Sequence, residues 1–211
     1  MNTFLRLKAG GYGEIEEKKS RFIANIRPVD SEEEAVAFIN EMKKKYWDAR
    51  HNCSAFVIGE KMELTRCSDD GEPSGTAGRP MLEVLLGKQI TNICVVVTRY
   101  FGGVLLGTGG LVRAYQGAVK EGLINSVIVE MQEGYELTVT VGYDLIGKFQ
   151  YVISQEDVIL KNTEYAENVV FSILVPNEST DSFIKKLTEA AGGQLTIEKS
   201  DPCSYEKAAS L

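Results

Sequence analysis

Through residues 3–27 short segments mixing apolar and polar positions at strand-like spacing predict strands at 3–7, 14–18 and 21–27 around a glycine turn at Gly10, Gly11 and Gly13. The spacing then changes. Ala35, Phe38, Ile39 and Met42 recur at helical spacing, behind Ser31 and Glu34 set as a capping box and ahead of Lys43-Lys44-Lys45, whose charges suit the helix dipole. Residues 53–58 and 62–68, joined around Gly59-Glu60-Lys61, predict a β-hairpin. Pro80 opens a short helix through Met81, Leu82, Val84 and Leu85, closed by Gly87. The β-branched run 93–98 reads as a strand buried on both faces. A further helix starts near Thr108, with Leu111, Tyr115, Ala118 and Gly122 on one side and Arg113, Gln116 and Lys120 on the more polar side. From about Gln132 the pattern predicts strand 135–141, helix 143–155, strands 158–165 and 168–175, helix 179–191 stopped by Gly192-Gly193, and strand 194–198. Their stripes, Leu145, Phe149 and Ile153, then Phe183, Ile184 and Leu187, are core faces. The order is βαββαβ, that of a ferredoxin-like sandwich. The fold class is therefore α+β, with an N-terminal mixed α/β domain at 1–130 and a C-terminal ferredoxin-like domain at 131–211.

Two glycine-rich, charged stretches break the periodicity. One is Asp69-Asp70-Gly71-Glu72-Pro73-Ser74-Gly75-Thr76-Ala77-Gly78-Arg79-Pro80; the other runs from Thr98-Arg99-Tyr100-Phe101-Gly102-Gly103 to Leu106-Gly107-Thr108-Gly109-Gly110-Leu111-Val112-Arg113. Such glycine density marks turns with positive φ or backbone closely approached by another group, and loops on a rigid frame commonly carry binding chemistry. Gly107, Thr108, Gly109 and Gly110 ahead of a helix expose amide hydrogens at the positive end of its dipole, an arrangement that binds anions. Arg99 and Arg113 bracket the loop and can add bidentate contacts to a phosphate. Gly102 and Gly107 have P-loop spacing, but the lysine of that motif is missing, and Val112 stands where a dinucleotide fingerprint needs its third glycine.

Each of these residues also has a plainer reading. The two loops can pack on each other, with Arg99 and Arg113 paired to Asp69, Asp70 or Glu72. The three acids read as a Mg²⁺ site or an acid–base pair, or else as solvated groups and caps of backbone amides. Ser74 and Thr76 are nucleophiles or turn hydroxyls. His51 shares a strand face with Cys53, as a Cys–His dyad or as a hydrogen-bonding group at a strand start. Lys18-Lys19-Ser20-Arg21 with Phe22 fits a nucleic-acid patch and a solvated strand face equally well.

Composition narrows the class. The 211 residues are 44% apolar and 25% charged, ordinary for a soluble protein, and no apolar stretch reaches bilayer length. Arg6 and Lys8 among Phe4, Leu5 and Leu7 do not resemble a secretory signal, so a cytoplasmic location is expected. Cys53, Cys67, Cys94 and Cys203 are too far apart for a C-x-x-C pattern and read as reduced thiols, with no metal and no cofactor implied. The net charge of −7 is uneven: residues 1–128 carry 17 Lys/Arg against 16 Asp/Glu, and residues 129–211 carry 6 against 14. The first part can present positive patches, whereas a nucleic-acid backbone would repel the second.

At the two glycine-rich stretches the sequence resembles the Impact family, in its bacterial YigZ-type two-domain form. The likeness includes Lys18-Lys19-Ser20-Arg21-Phe22 and His51-Asn52-Cys53, covers most of residues 10–125, and extends to a C-terminal region similar to the bacterial extra domain. The resemblance implies an N-terminal domain similar to domain IV of elongation factor G and a C-terminal domain similar to its domain V, both of which work against ribosomal RNA. It further implies a link to translation, which eukaryotic relatives regulate under amino-acid starvation by competing for an activator of the starvation kinase. The expected function is a non-catalytic, translation-associated regulator binding RNA, the ribosome or a translation factor, with no membrane partner. Its anion contacts would be Arg79, Arg99, Gly107, Thr108, Gly109, Gly110 and Arg113, supported by Asp69, Asp70, Glu72, Ser74, Thr76 and His51. The competing readings are a hydrolase acting on a phosphorylated or peptide substrate and a protein–protein interaction module. A two-metal peptidase is hard to build with His51 as the sole histidine.

Overall fold

In the computed structural model, which describes residues 3–208, the N-terminal segments form β1 (Phe4–Ala9), β2 (Tyr12–Glu17) and β3 (Ser20–Pro28). Helix α1 (Glu32–Lys45) follows, and the Ser31 hydroxyl accepts the Glu34 amide while the Glu34 carboxylate accepts the Asp30 amide. Next come β4 (His51–Ile58), β5 (Leu64–Ser68), α2 (Gly78–Gly87), β6 (Ile90–Thr91), β7 (Ile93–Tyr100), α3 (Gly107–Ile124) and β8 (Val127–Val141). The chain divides inside β8 into two units, Phe4–Glu130 and Met131–Lys207.

In the first unit five strands form an antiparallel sheet in the order β2-β3-β7-β4-β5. Alternation along β7 supplies both of its faces. Val95 and Val97 join Ala24, Cys53 and Ala55 beneath α2 and α3, and Cys94 and Val96 join Phe56 and Ile58 beneath α1. Large side chains such as Met81, Leu85 and Ile93 are fully buried there, each contributing roughly 1.5–3 kcal/mol. A separate pairing, too short to read from periodicity, joins β6 to β1 in parallel through Leu5 and Ile90.

Of the boundaries that differ from the expected ones, three have a clear local reason. Gly13 belongs to β2 and not to a turn: a Cβ there would sit 2.3 Å from the Gly122 nitrogen, so its bare backbone lets β2 approach α3. β5 begins at Leu64 because Met62, with φ of 57°, is still in the turn closed by its amide on the Gly59 carbonyl. Helix α2 begins at Gly78, ahead of Pro80, because a carboxylate from outside the helix caps it.

In the second unit, 3₁₀ turns at Tyr143–Leu145 and Asn177–Ser179 precede α4 (Ile146–Gln155) and α5 (Thr180–Ala190). The strands β9 (Ile159–Tyr165), β10 (Val169–Pro176) and β11 (Thr196–Lys199) join β8 in the order β9-β10-β8-β11, the ferredoxin-like arrangement. Phe149, Ile153, Phe183 and Leu187 pack against Leu137, Val139, Phe171 and Ile173. One more strand, β12 (Cys203–Ala208), pairs with β8 beyond the expected βαββαβ order. On the sheet face away from the helices, register places Thr138, Ser172, Asn162 and Glu198 in one row and Glu164, Val170, Thr140 and Thr196 in the next.

Candidate functional site: two loops over one sheet corner

Cross-strand register sets His51, at the start of β4, opposite Arg99 near the end of β7, and Arg99 opposite Phe22 on β3. The first glycine-rich loop leaves β5 and closes over this corner. His51 Nδ1 meets the Asp70 carbonyl at 3.0 Å, which places the ring proton on Nδ1, and the Cys53 thiol donates to the Asp69 carbonyl at 3.0 Å. His51 and Cys53 thus contact neighbouring carbonyls of the loop. Burial pushes the Cys53 thiol up to about 12, so it is not a thiolate nucleophile.

Every acid of the loop has a partner within the unit. Asp69 accepts the Gly75, Ala77 and Gly78 amides at 2.8–3.0 Å. Burial acts to raise its pKa, but the three amides outweigh it and hold the carboxyl below its ordinary value. Asp70 accepts the Asn52 amide at 2.7 Å and the Lys43 ammonium at 2.6 Å. Glu72 is buried, receiving Arg99 Nη1 at 2.8 and 3.1 Å and the Tyr115 hydroxyl at 2.8 Å. The Tyr115 hydroxyl is raised out of the titratable range, first by burial and then by Cys53 and Glu72. Thr76 is a turn hydroxyl, donating to the Pro73 carbonyl at 2.7 Å, and Ser74 is exposed. Among the described residues no group of three or more His, Cys, Asp and Glu is placed to hold a metal ion.

The structure therefore gathers His51, Asp69, Asp70, Glu72, Thr76 and Arg99 into one network and leaves Ser74, Arg79, Gly107–Gly110 and Arg113 outside it. For Arg99 the geometry is the paired one: it is 7% exposed, salt-bridged to Glu72, with its guanidinium 5.5 and 5.6 Å from the Phe22 and Phe101 ring centroids. Its Nε is a buried donor without an acceptor among the described residues, a condition that costs about 1–3 kcal/mol. Arg79 lies exposed on α2 and contacts Glu83 one turn on. Arg113 is exposed on α3 with no carboxylate partner among the described residues. No side chain caps the start of α3, where Gly107 has φ of 69° and Gly107, Thr108 and Gly109 are exposed.

The second loop rests on the Lys18-Lys19 turn. A Cβ on Gly102 would lie 2.0 Å from the Lys19 carbonyl carbon, and the Gly102 amide donates to the Ser20 hydroxyl at 3.1 Å, so only glycine admits this contact. Beyond it Phe101 is 55% and Leu105 83% exposed. A cavity of about 590 Å³ opens here, lined by Arg50, His51, Arg99, Tyr100, Phe101 and Leu105 among others. Lys18, Lys19 and Arg50, like Arg113, are exposed and have no carboxylate partner among the described residues. Sequence reasoning missed Tyr115, Lys43, Asn52 and Arg50 as parts of this corner. Tyr115 carried a signal, since a tyrosine on an apolar helix face needs a partner for its hydroxyl once buried.

Comparison with known proteins agrees with this architecture. The Impact N-terminal domain model matches residues 18–123, and a domain of unknown function (DUF1949) matches residues 139–194. IMPACT family member YvyE of Bacillus subtilis is 42% identical over 208 residues, 99% of this chain and 96% of that protein. IMPACT family member YigZ of Escherichia coli is 38% identical over 182 residues, 85% of this chain and 89% of its own length. A crystal structure of a hypothetical protein, 35% identical, superposes with a TM-score of 0.59 over 95% of this chain and 98% of the other. With both domain models matched in order and close relatives collinear over nearly its whole length, the chain belongs to the IMPACT family.

Proposed function

We propose that this protein is a non-catalytic, translation-associated regulator that binds RNA, in the first instance ribosomal RNA, through the second loop and its surroundings. The observation that carries the reading is an imbalance of charge. The acids of the first loop are all engaged inside the unit, whereas Lys18, Lys19, Arg50 and Arg113, around the second loop and the uncapped start of α3, have no carboxylate partner among the described residues. Cations and bare amides of this kind are what phosphate contacts require. The family resemblance supports the link to translation. A hydrolase finds little support: Cys53 is held protonated, His51 Nδ1 is engaged by a carbonyl, and Ser74 has no base within hydrogen-bonding distance among the described residues.

A translation factor is the second reading, favoured by the exposed apolar Val104 and Leu105 on the same loop. Ribosome co-sedimentation over a salt series, comparing the unaltered chain with Lys19→Gln/Arg113→Ala, separates the two. Salt-sensitive pelleting weakened by the double change is expected. Absence of pelleting at low salt rejects the ribosomal reading, and salt-insensitive pelleting lost on Leu105→Ser points to a protein partner. The Arg99→Ala change is unsuitable here, since it breaks a buried ion pair.

A further inference from the structure

The cavity at the sheet corner, about 590 Å³, falls inside the roughly 300–1,000 Å³ span of small-molecule sites. Two features of its wall ask for one kind of occupant. Phe101 presents a ring half open to solvent, a surface on which a planar group can stack. Arg99 also lines the cavity, but it is more than nine-tenths buried and held by Glu72, so it forms part of the wall and makes no contact to the occupant. Arg50 contributes a cation with no carboxylate partner among the described residues. Asp48, the acid on the wall, is engaged by the Tyr100 hydroxyl at 2.7 Å.

We infer that the cavity seats one nucleotide, its base stacked on Phe101 and its phosphate beside Arg50. An apolar peptide would cover Phe101 and Leu105 but leave the Arg50 charge unmatched. The inference rests on the RNA reading above and narrows it to an unpaired nucleotide. A free mononucleotide has the same chemistry, and the experiment separates the two sources.

The chain has one tryptophan, Trp47, so the full-length Trp47→Phe/Phe101→Trp variant carries its only indole on the cavity wall. Its fluorescence is titrated with oligouridylate, oligoadenylate, UMP and AMP, while anisotropy of labelled oligonucleotides measures RNA affinity for the unaltered chain, Phe101→Ala and Arg50→Ala. Base stacking quenches the indole, and Phe101→Ala weakens RNA binding about tenfold without lowering the thermal midpoint, since that ring is half exposed. Arg50→Ala weakens binding and flattens its salt dependence. RNA binding untouched by Phe101→Ala, with an unquenched indole, overturns the cavity assignment and leaves the RNA reading standing. Quenching by UMP or AMP without RNA binding upholds the cavity and overturns the RNA reading. Silence towards both overturns both and returns Phe101 and Leu105 to protein docking.

Discussion

Removing one partner of the Glu72–Arg99 pair would strand a buried charge among Phe22, Tyr115 and Cys53. Glu72→Ala or Arg99→Ala is therefore expected to cost about 3–5 kcal/mol, read as a lowered urea midpoint. Replacing both, as Glu72→Leu/Arg99→Met, should restore most of that stability, because the desolvation of two ions is removed together with their attraction. Arg99 also shows what a residue-level reading can and cannot resolve. Its place in a charged loop was plain, but free and paired geometries were both open. The alternation that buries Val95 and Val97 reaches Arg99 in the same phase, so strand register already aimed it at α3. Asp69, Asp70 and Glu72 all stood open as its partner, and no local pattern could single out Glu72, which is 27 residues away.

At the scale of elements, the starts of the two helices differ. Helix α2 receives the Asp69 carboxylate on its first amides, and α3 receives no side-chain cap at all. Asp69→Asn is expected to cost about 1 kcal/mol at neutral pH. The depressed native pKa of Asp69 means that its stabilising charge is present above the ordinary aspartate value and is lost as pH falls through the lower native one. Urea melts of the unaltered chain and Asp69→Asn should accordingly converge as pH drops from 7 towards 3. A stability gap that stayed constant over this range would refute a charge-dependent cap. Helices with a strong apolar stripe, such as α1 with Phe38 and Met42, were legible from their own residues. The start of α2 was not, because its cap lies nine residues upstream of Gly78, outside any helical window. β6 and β12 escaped for a related reason: Ile90–Thr91 is too short to show a period, and Cys203–Ala208 is largely exposed and mostly polar.

Across the whole chain, charge is distributed against the direction of the net value. The −7 comes from residues 129–211, and the row of Glu198 and Asn162 on the second unit's sheet offers neither the aromatic side chains nor the cations on which single-stranded RNA is usually held. If RNA is bound by the four cations around the second loop, the slope of log affinity against log salt should be shallow, near −0.7 per phosphate contact. Each of Lys18, Lys19, Arg50 and Arg113 removed should then reduce it by about 0.7. A slope unchanged by all four would place the contacts elsewhere. The order β2-β3-β7-β4-β5 has a consequence for how the chain acquires its structure. β3 can pair with β2, and β4 with β5, as soon as each has emerged, yet the strand that joins these two pairs is Ile93–Tyr100, so the sheet stays in two halves until that segment has emerged. A nascent chain ending before it carries two strand edges and their apolar faces uncovered, and depends on whatever shields it until β7 arrives.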